Sequence, residues 1–293
     1  MSNYIITTDS GSDLTQELYT KYDIIPIMME YEMDGRMHLD TPNEAEIKRF
    51  YDAMREGGVA KTTQINANRM VDFFTDLVNK YNKPIMHISL GSGISGTCHN
   101  CMAAAKEVTE KTGVNVTVVD SIGASLCNGL LCIIASENRE NEMTLDCNVE
   151  FINDIKHKIN VYFTTNTLTY LHRGGRVSKT SAVLGNMLGI NPVLTLDTEG
   201  HLVVCDKVRG EKNTFANITK KIADTVLDAN EHCIYISHSD CYDRAVAVGE
   251  KFKAEVGFKD VVITNIGTII GAHTGPGLVA IFYYGKERTI QPK

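Results

Sequence analysis

Strand-like runs and helical patterns take turns through the first 160 residues, and this alternation restricts the chain to a parallel sheet with helices on both faces. Residues 4–8 read as a strand, 13–21 as a helix and 24–33 as one long strand. Pro26 points to a sheet edge or bulge there, because proline has no N–H for the ladder. Thr41-Pro42-Asn43-Glu44 has the spacing of a capping box with proline at the first helical position, which predicts a helix over 42–56 ended by Gly57-Gly58. Met70, Val71, Phe74, Leu77 and Val78 recur at helical spacing. Residues 84–90 read as a strand, 97–111 as a helix stopped by Gly113, and 114–119 as the next strand.

Beyond a helix carrying Val149, Ile152, Ile155 and Ile159 the pattern changes. Strand-like runs follow at 161–165, 193–196, 202–208, 233–237, 261–266 and 278–284. Leu196-Asp197-Thr198-Glu199-Gly200-His201 joins two of them as a hairpin with glycine late in the loop, so this half should hold antiparallel pairs. The change of topology places a domain boundary near residue 160, giving units 1–160 and 161–293. No Pro/Ser-rich linker separates them, which predicts a broad interface and a site in the cleft between.

Composition narrows the function. The 293 residues are 43% hydrophobic and 22% charged, enough for a sizeable core. Lys and Arg number 29 against 36 Asp and Glu, a net charge of −7, so a nucleic-acid partner is not expected. No apolar run reaches the roughly 18 to 20 residues of a membrane span, and no basic segment precedes the first strand; the expectation is a cytoplasmic chain. Eight cysteines at this length are no dense disulfide framework, so most are expected reduced and buried.

The sharpest local signal is Gly91-Ser92-Gly93-Ile94-Ser95-Gly96 between a strand and a helix. Its G-x-G-x-x-G pattern, with Asp120 ending the next strand, has the context of a dinucleotide fingerprint, which would make the chain an NAD-dependent oxidoreductase. It also fits an anion cradle of free N–H groups, or a plain tight turn. Ser89, Ser92, Ser95 and Thr97 add hydroxyls that a pyrophosphate does not need and a carboxylate can use. Lys61-Thr62-Thr63-Gln64 adds two hydroxyls and an amide, or is only a capping turn. Residues 271–277 hold three glycines and a proline around His273, a loop that aims one imidazole. Ser95 with His273 also allows a nucleophile and base, without any third group to orient the histidine. Leu171-His172-Arg173-Gly174-Gly175-Arg176-Val177-Ser178 sets two arginines about a glycine pair ahead of a helix over 179–188. Cys98-His99-Asn100-Cys101 lacks a second pair at zinc spacing and fits a core-facing helix surface.

Taken in order, these motifs resemble the DegV family, bacterial fatty-acid-binding proteins that act as the acyl-carrier subunit of fatty acid kinase. Thr8-Asp9-Ser10 follows the first strand, Lys61-Thr62-Thr63-Gln64 stands for K-T-S-Q-P, and Ser92 to Thr97 for S-x-x-S-G-T. Gly174-Gly175-Arg176-Val177-Ser178 stands for G-G-R-I-S, Asn191-Pro192-Val193-Leu194 for K-P-I-L, and the glycine-rich segment around His273 closes the set. The resemblance implies a three-layer α/β/α domain with a mostly parallel sheet beside a two-layer α/β domain with a mixed sheet. A long-chain fatty acid, the only ligand and no cofactor, would lie between them. Its carboxylate would be held at Thr62, Ser95, Gly96 and His273, with Thr63 and Ser92 as further contacts. The carrier would be no enzyme itself, and Arg173, Arg176 and Arg209 would face the kinase. Ile65 replaces the proline of K-T-S-Q-P, Cys98 stands where an aromatic is usual, and Glu211 where a basic side chain is expected.

Overall fold

A computed structural model describes residues 3–177 and 189–291. Ser178 and the helix expected over 179–188 lie outside those residues. Strands β1 (Ile5–Asp9), β2 (Ile24–Ile27), β6 (Ile85–Ser89) and β7 (Val116–Asp120) form a parallel sheet in the order β2-β1-β6-β7. β1 and β6 are buried at every position, as strands covered on both faces must be. Met70 and Phe74 of α3 (Ala67–Tyr81) and Cys101 and Val108 of α4 (Thr97–Thr112) pack on Ile5 and Ile85 of one face. Leu130 and Leu131 of α5 (Leu126–Glu140) and Ile152 of α6 (Leu145–Ile155) pack on Ile6, Met86 and Ile88 of the other.

Several expectations change in the folded chain. The single strand expected over 24–33 is two. β2, with Pro26 on the sheet edge, ends where Ile27 pairs with Asp9, and Met29 N–H then turns to Ser10 Oγ at 3.0 Å. The chain leaves to form β3 (Glu30–Met33), which joins β4 (Arg36–Leu39) and β5 (Ala60–Thr63) in a separate antiparallel sheet. Asn43, not Thr41, caps α2 (Glu44–Arg55), its Oδ1 accepting from Ala45 N and Glu46 N at 3.0 and 3.2 Å. Residues 61–63 lie in β5 rather than a capping turn, and Asn66 caps α3. The first helix, α1 (Gln16–Lys21), begins later than expected, at a Thr15 cap. Ile159 falls past the end of α6 and opens the next strand.

That strand, β8 (Ile159–Thr164), belongs to a six-stranded mixed sheet with β9 (Ile190–Leu196), β10 (Leu202–Arg209), β11 (Cys233–His238), β12 (Asp260–Asn265) and β13 (Val279–Tyr284). The order is β10-β9-β8-β13-β11-β12, antiparallel except for β11 with β12. The β9–β10 hairpin forms as read: Asp197 Oδ1 accepts from Glu199 N and His201 N at 2.9 Å, and Gly200 takes φ +83°. Alternation sorts the faces. Val161, Phe163, Leu194, Ala280 and Phe282 join the cluster around α5, whereas Val279, Ile281 and Tyr283 pack under α8 (Glu211–Thr225) and α9 (Tyr242–Val256). The layers are therefore α3/α4, parallel sheet, α5/α6, mixed sheet, α8/α9, which gives the α/β class with one parallel and one mixed sheet that the sequence predicts.

Two short helices complete the frame, α7 (Thr169–Arg173) and α10 (Thr268–Thr274). The glycine-rich segment expected as a loop is largely α10, with His273 on its last turn and Gly275 ending it at φ +73°. α10 comes late in the chain yet docks on the first half, where Ile269 and Ala272 pack with Phe50 and Tyr51. Tyr51 Oη donates to Ile266 O at 2.9 Å, and Asp13 Oδ1 and Asp40 Oδ1 accept from Gly267 N and Thr268 N at 2.9 and 3.2 Å.

Candidate functional site

The site grows from the ends of β1 and β6. Asp9 Oδ2 accepts from Leu90 N at 2.7 Å and from Ser89 Oγ at 3.3 Å, and its Oδ1 accepts from Gly11 N at 3.1 Å. Burial pushes this carboxyl up to about 6. The Thr8-Asp9-Ser10 motif thus fixes where the 91–96 loop leaves the sheet.

Within that loop Gly91 N donates to Gly123 O at 2.7 Å, and a Cβ on Gly91 would fall 2.4 Å from Gly123 N. Ser92 N donates to Asp120 Oδ1 at 3.1 Å, while Ile94 N and Ser95 N donate to Gly91 O at 3.0 and 3.2 Å. The open cradle of free amides suggested by the glycine spacing does not form, because the turn consumes most of its own N–H groups. Asp120, the ribose ligand of the dinucleotide reading, is spent on the amides of Ser92 and Ile122. Gly96 N–H has no protein acceptor among the described residues.

Facing this loop is a chamber called polar for the Thr62, Thr63, Gln64, Ser95, Gly96 and His273 that line it beside Met29, Leu90 and Ile269. β5 pairs Tyr31 with Thr62, which turns Thr62 inward, and leaves Thr63 and Gln64 exposed at the mouth. Thr62 Oγ1 lies 2.8 Å from His273 Nε2. Ser95 Oγ accepts from Thr97 N at 3.2 Å and donates to Thr97 Oγ1 at 3.0 Å. Thr97 Oγ1 also accepts from Ile65 N at 3.3 Å, a donor that the family's proline would not supply. Gly96 faces the Gln64 side chain, whose Oε1 a Cβ there would meet at 2.1 Å unless that exposed side chain swung aside.

His273 Nδ1 is buried without a partner, against Gly174, where a Cβ would sit 2.1 Å away. Burial, with the Arg176 guanidinium nearby, lowers the imidazole to about 4, so the ring is neutral at neutral pH. A proton on Nδ1 would have no acceptor; on Nε2 it donates to Thr62 Oγ1 and frees the Thr62 hydroxyl proton for a ligand. Ser95 and His273 are each hydrogen-bonded to threonines, not to one another, so no nucleophile and base pair is formed.

Behind the polar chamber lies an apolar one of about 590 Å³, walled by Val161, Phe163, Leu196, Leu202, Leu278 and Phe282. Ile94, Ile270, Arg176 and His273 line both, so the chambers adjoin. Arg176 is half-buried: Nε and Nη2 donate to Ile94 O at 3.1 and 3.0 Å, and Nη1 to Gly174 O at 2.5 Å. It ties the 91–96 loop to the Gly174 turn, an inward role that a sequence reading for a docking arginine misses; the glycine pair beside it was the available signal. Ser92 lines neither chamber. Arg173, over the Tyr170 ring at 5.7 Å, and Arg209, at the end of β10, are exposed and outside both. Cys98 and Cys101 are buried in the core, and burial pushes the Cys98 thiol up to about 12.

With this geometry in hand, comparison with known proteins is direct. A family model described as "Uncharacterised protein, DegV family" matches residues 3–286. A DegV domain-containing protein of Clostridium perfringens is 32% identical, over 98% of this chain and 99% of its own. Among solved structures, a DegV lipid-binding protein of Thermotoga maritima is 25% identical with a TM-score of 0.85, covering 98% of this chain and 99% of that one. A DegV-family protein of Thermus thermophilus, solved for its fatty acid binding, is 26% identical with a TM-score of 0.84, covering 97% and 100%. Matched from end to end by model, relative and fold, this chain belongs to the DegV family.

Proposed function

We propose that this chain binds a long-chain fatty acid between its units 1–160 and 161–293 and offers the carboxylate to a separate kinase for acyl phosphate formation. The observation that carries the reading is the adjoining pair of chambers, one walled by hydrocarbon and the other carrying the hydroxyls of Thr62, Thr63 and Ser95, with His273 and Arg176 at their junction. The fatty acid binding of the Thermus relative supports it. A C16 chain gains up to about 11 kcal/mol from burial before association costs, so the apolar chamber dominates affinity. Thr62 and Gly96 N–H orient the head group together with Ser95, whose hydroxyl turns from Thr97 Oγ1 to do so, with Thr63 at the exposed mouth.

The chain does no chemistry in this reading, since His273 is neutral and bonded to Thr62 rather than to a nucleophile. Arg173 and Arg209 remain the docking candidates, and Arg176 turns inward toward the ligand. Glu211, at the start of α8, pairs with Arg244, Nε to Oε1 at 2.5 Å, which leaves Arg209 without its expected basic neighbour. Denaturing mass spectrometry of the purified protein should show one co-purified fatty acid, and calorimetry should show palmitate binding; absence of both overturns the carrier role. Acyl phosphate should form only when a fatty acid kinase and ATP are added. Turnover by this chain alone would overturn the non-catalytic reading.

A further inference from the structure

We propose that Asp40 and Thr268 are positioning residues for the head-group site: their contact at one end of α10 sets where His273 stands at the other. Thr268 opens α10 at 1% exposure and donates to Asp40 Oδ1, from Oγ1 at 2.6 Å and from N at 3.2 Å. Asp40, at 4% exposure, follows β4 and is itself held. Its N–H donates to Met29 O at 2.8 Å, and its Oδ1 also accepts from Thr41 N at 3.0 Å. The helix between the two ends is short and continuous, with Gly271 N donating to Gly267 O and Gly275 N to Gly271 O, both at 2.8 Å. His273 comes five residues after Thr268, about 7.5 Å along the axis at 1.5 Å per residue.

These contacts close a ring. Thr62 of β5 pairs with Tyr31 of β3, Glu30 of β3 pairs with Leu39 of β4, Asp40 follows and holds Thr268, and α10 carries His273 back to Thr62 Oγ1 at 2.8 Å. Two links of the ring pass between the first half and α10, Asp40 with Thr268 and Thr62 with His273; the others lie within one sheet or one helix. A change at one crossing is therefore carried to the other. Ile269 and Ala272 pack with Phe50 and Tyr51 and press α10 against the first half, but apolar contact is non-directional and permits sliding along the axis. Hydrogen bonds do not. A slide of about 1 Å would take the 2.8 Å contact between Thr62 and His273 out of range. The bonds at Thr268, with Asp13 Oδ1 accepting from Gly267 N at 2.9 Å beside them, set the axial position. Thr268 lines neither chamber, so its effect on a ligand must pass through α10. The inference rests on the polar chamber being the carboxylate's site.

The test is an NMR titration of the His273 imidazole in the full chain freed of lipid, for the parent, Thr268→Val and Thr268→Ser, with palmitate affinity measured by calorimetry. Thr268→Val removes the hydroxyl at nearly constant shape. It should bring in the second imidazole tautomer and move the titration from about 4 toward 6.5. Palmitate binding should weaken by about threefold to tenfold, while hexadecanol binding changes by less than about twofold. Thr268→Ser keeps the hydroxyl and should restore the parent's tautomer, titration and affinity. An imidazole unchanged in a folded Thr268→Val protein overturns the proposal, whatever its unfolding midpoint, and so does failure of Thr268→Ser to restore it. Should Thr268→Val not fold, Asp40→Asn is read in the same way: it keeps an oxygen for Thr268 but weakens the bond, and an unmoved imidazole there overturns the positioning. A moved imidazole with palmitate affinity unchanged upholds the positioning and overturns the head-group reading of Thr62 and His273 instead.

Discussion

The two chambers share a wall and differ in what builds them. The apolar chamber is walled by side chains from the middles of strands, such as Val161 and Phe163 of β8 and Phe282 of β13, whose inward direction follows from the same alternation that packs the mixed sheet on α5. The polar chamber is assembled from the ends of elements: the last residues of β5, the loop after β6 and the last turn of α10. Hydrocarbon walls inherit the rigidity of the core, while the polar wall depends on a few hydrogen bonds between segments far apart in sequence, such as Thr62 with His273. Affinity should reside in the first chamber and orientation in the second.

The sharpest way to break this division is to fill the apolar chamber. Ala280 lines it from β13 at 4% exposure. Ala280→Phe should displace about five methylenes of a bound chain, costing roughly 4 kcal/mol, or about a thousandfold in palmitate affinity by calorimetry. The unfolding midpoint, measured alongside, separates lost space from lost fold. A well-folded Ala280→Phe protein that binds palmitate as before would remove the chain from this chamber.

Ser95→Ala probes the other side. It deletes one donor to the carboxylate and leaves the hydrocarbon wall intact, so palmitate affinity should fall by about tenfold to a hundredfold. Hexadecanol, which carries no carboxylate, should bind parent and variant within about threefold of each other. Equal losses for acid and alcohol would mean that Ser95 shapes the site rather than recognising charge. His273→Ala should weaken handover to the kinase more than binding, read as acyl phosphate formed per bound palmitate; loss of the lipid from a folded His273→Ala protein would refute this.

Periodicity made one chamber's frame legible and left the other's details hidden. The strands of the mixed sheet and the hairpin at Asp197 and Gly200 are visible because alternation and turn chemistry are local. α5 escapes such reading because it lies between two sheets and is buried on nearly all sides, so its sequence carries no polar face to set a period. The break between β2 and β3 is hidden too, since it depends on Met29 N reaching Ser10 Oγ, a contact across 19 positions. At the site, residue types at the mouth are readable from Thr62, Ser95 and His273, but their joining is not. It takes Gly174 leaving room for the imidazole and Arg176 spanning two loops, and the same arginine pattern reads equally well as a surface patch.

The smallest expected effect sharpens the comparison at the junction of the chambers. His273 is held at about 4, below its ordinary 6.5, by burial and then by Arg176. In the free protein the ring stays neutral while the unfolded chain takes up a proton below 6.5. This contribution to stability is therefore present above pH 6.5 and is lost as pH falls toward 4; His87, lowered to about 3 by burial, acts in the same direction. A carboxylate seated beside His273 supplies the opposite charge and raises the imidazole again. Binding at a pH between 4 and 6.5 then takes up protons and tightens beyond the carboxylate's own titration, whereas at pH 8 no proton moves. Calorimetry in buffers of different ionisation heat measures that uptake, with hexadecanol as the uncharged control. His273→Gln should abolish the uptake while changing affinity at pH 8 by less than Ser95→Ala does. Uptake that persists in His273→Gln belongs to another group, and none in the parent would place the carboxylate away from the imidazole, moving the head group out of the polar chamber while leaving the chain's burial untouched.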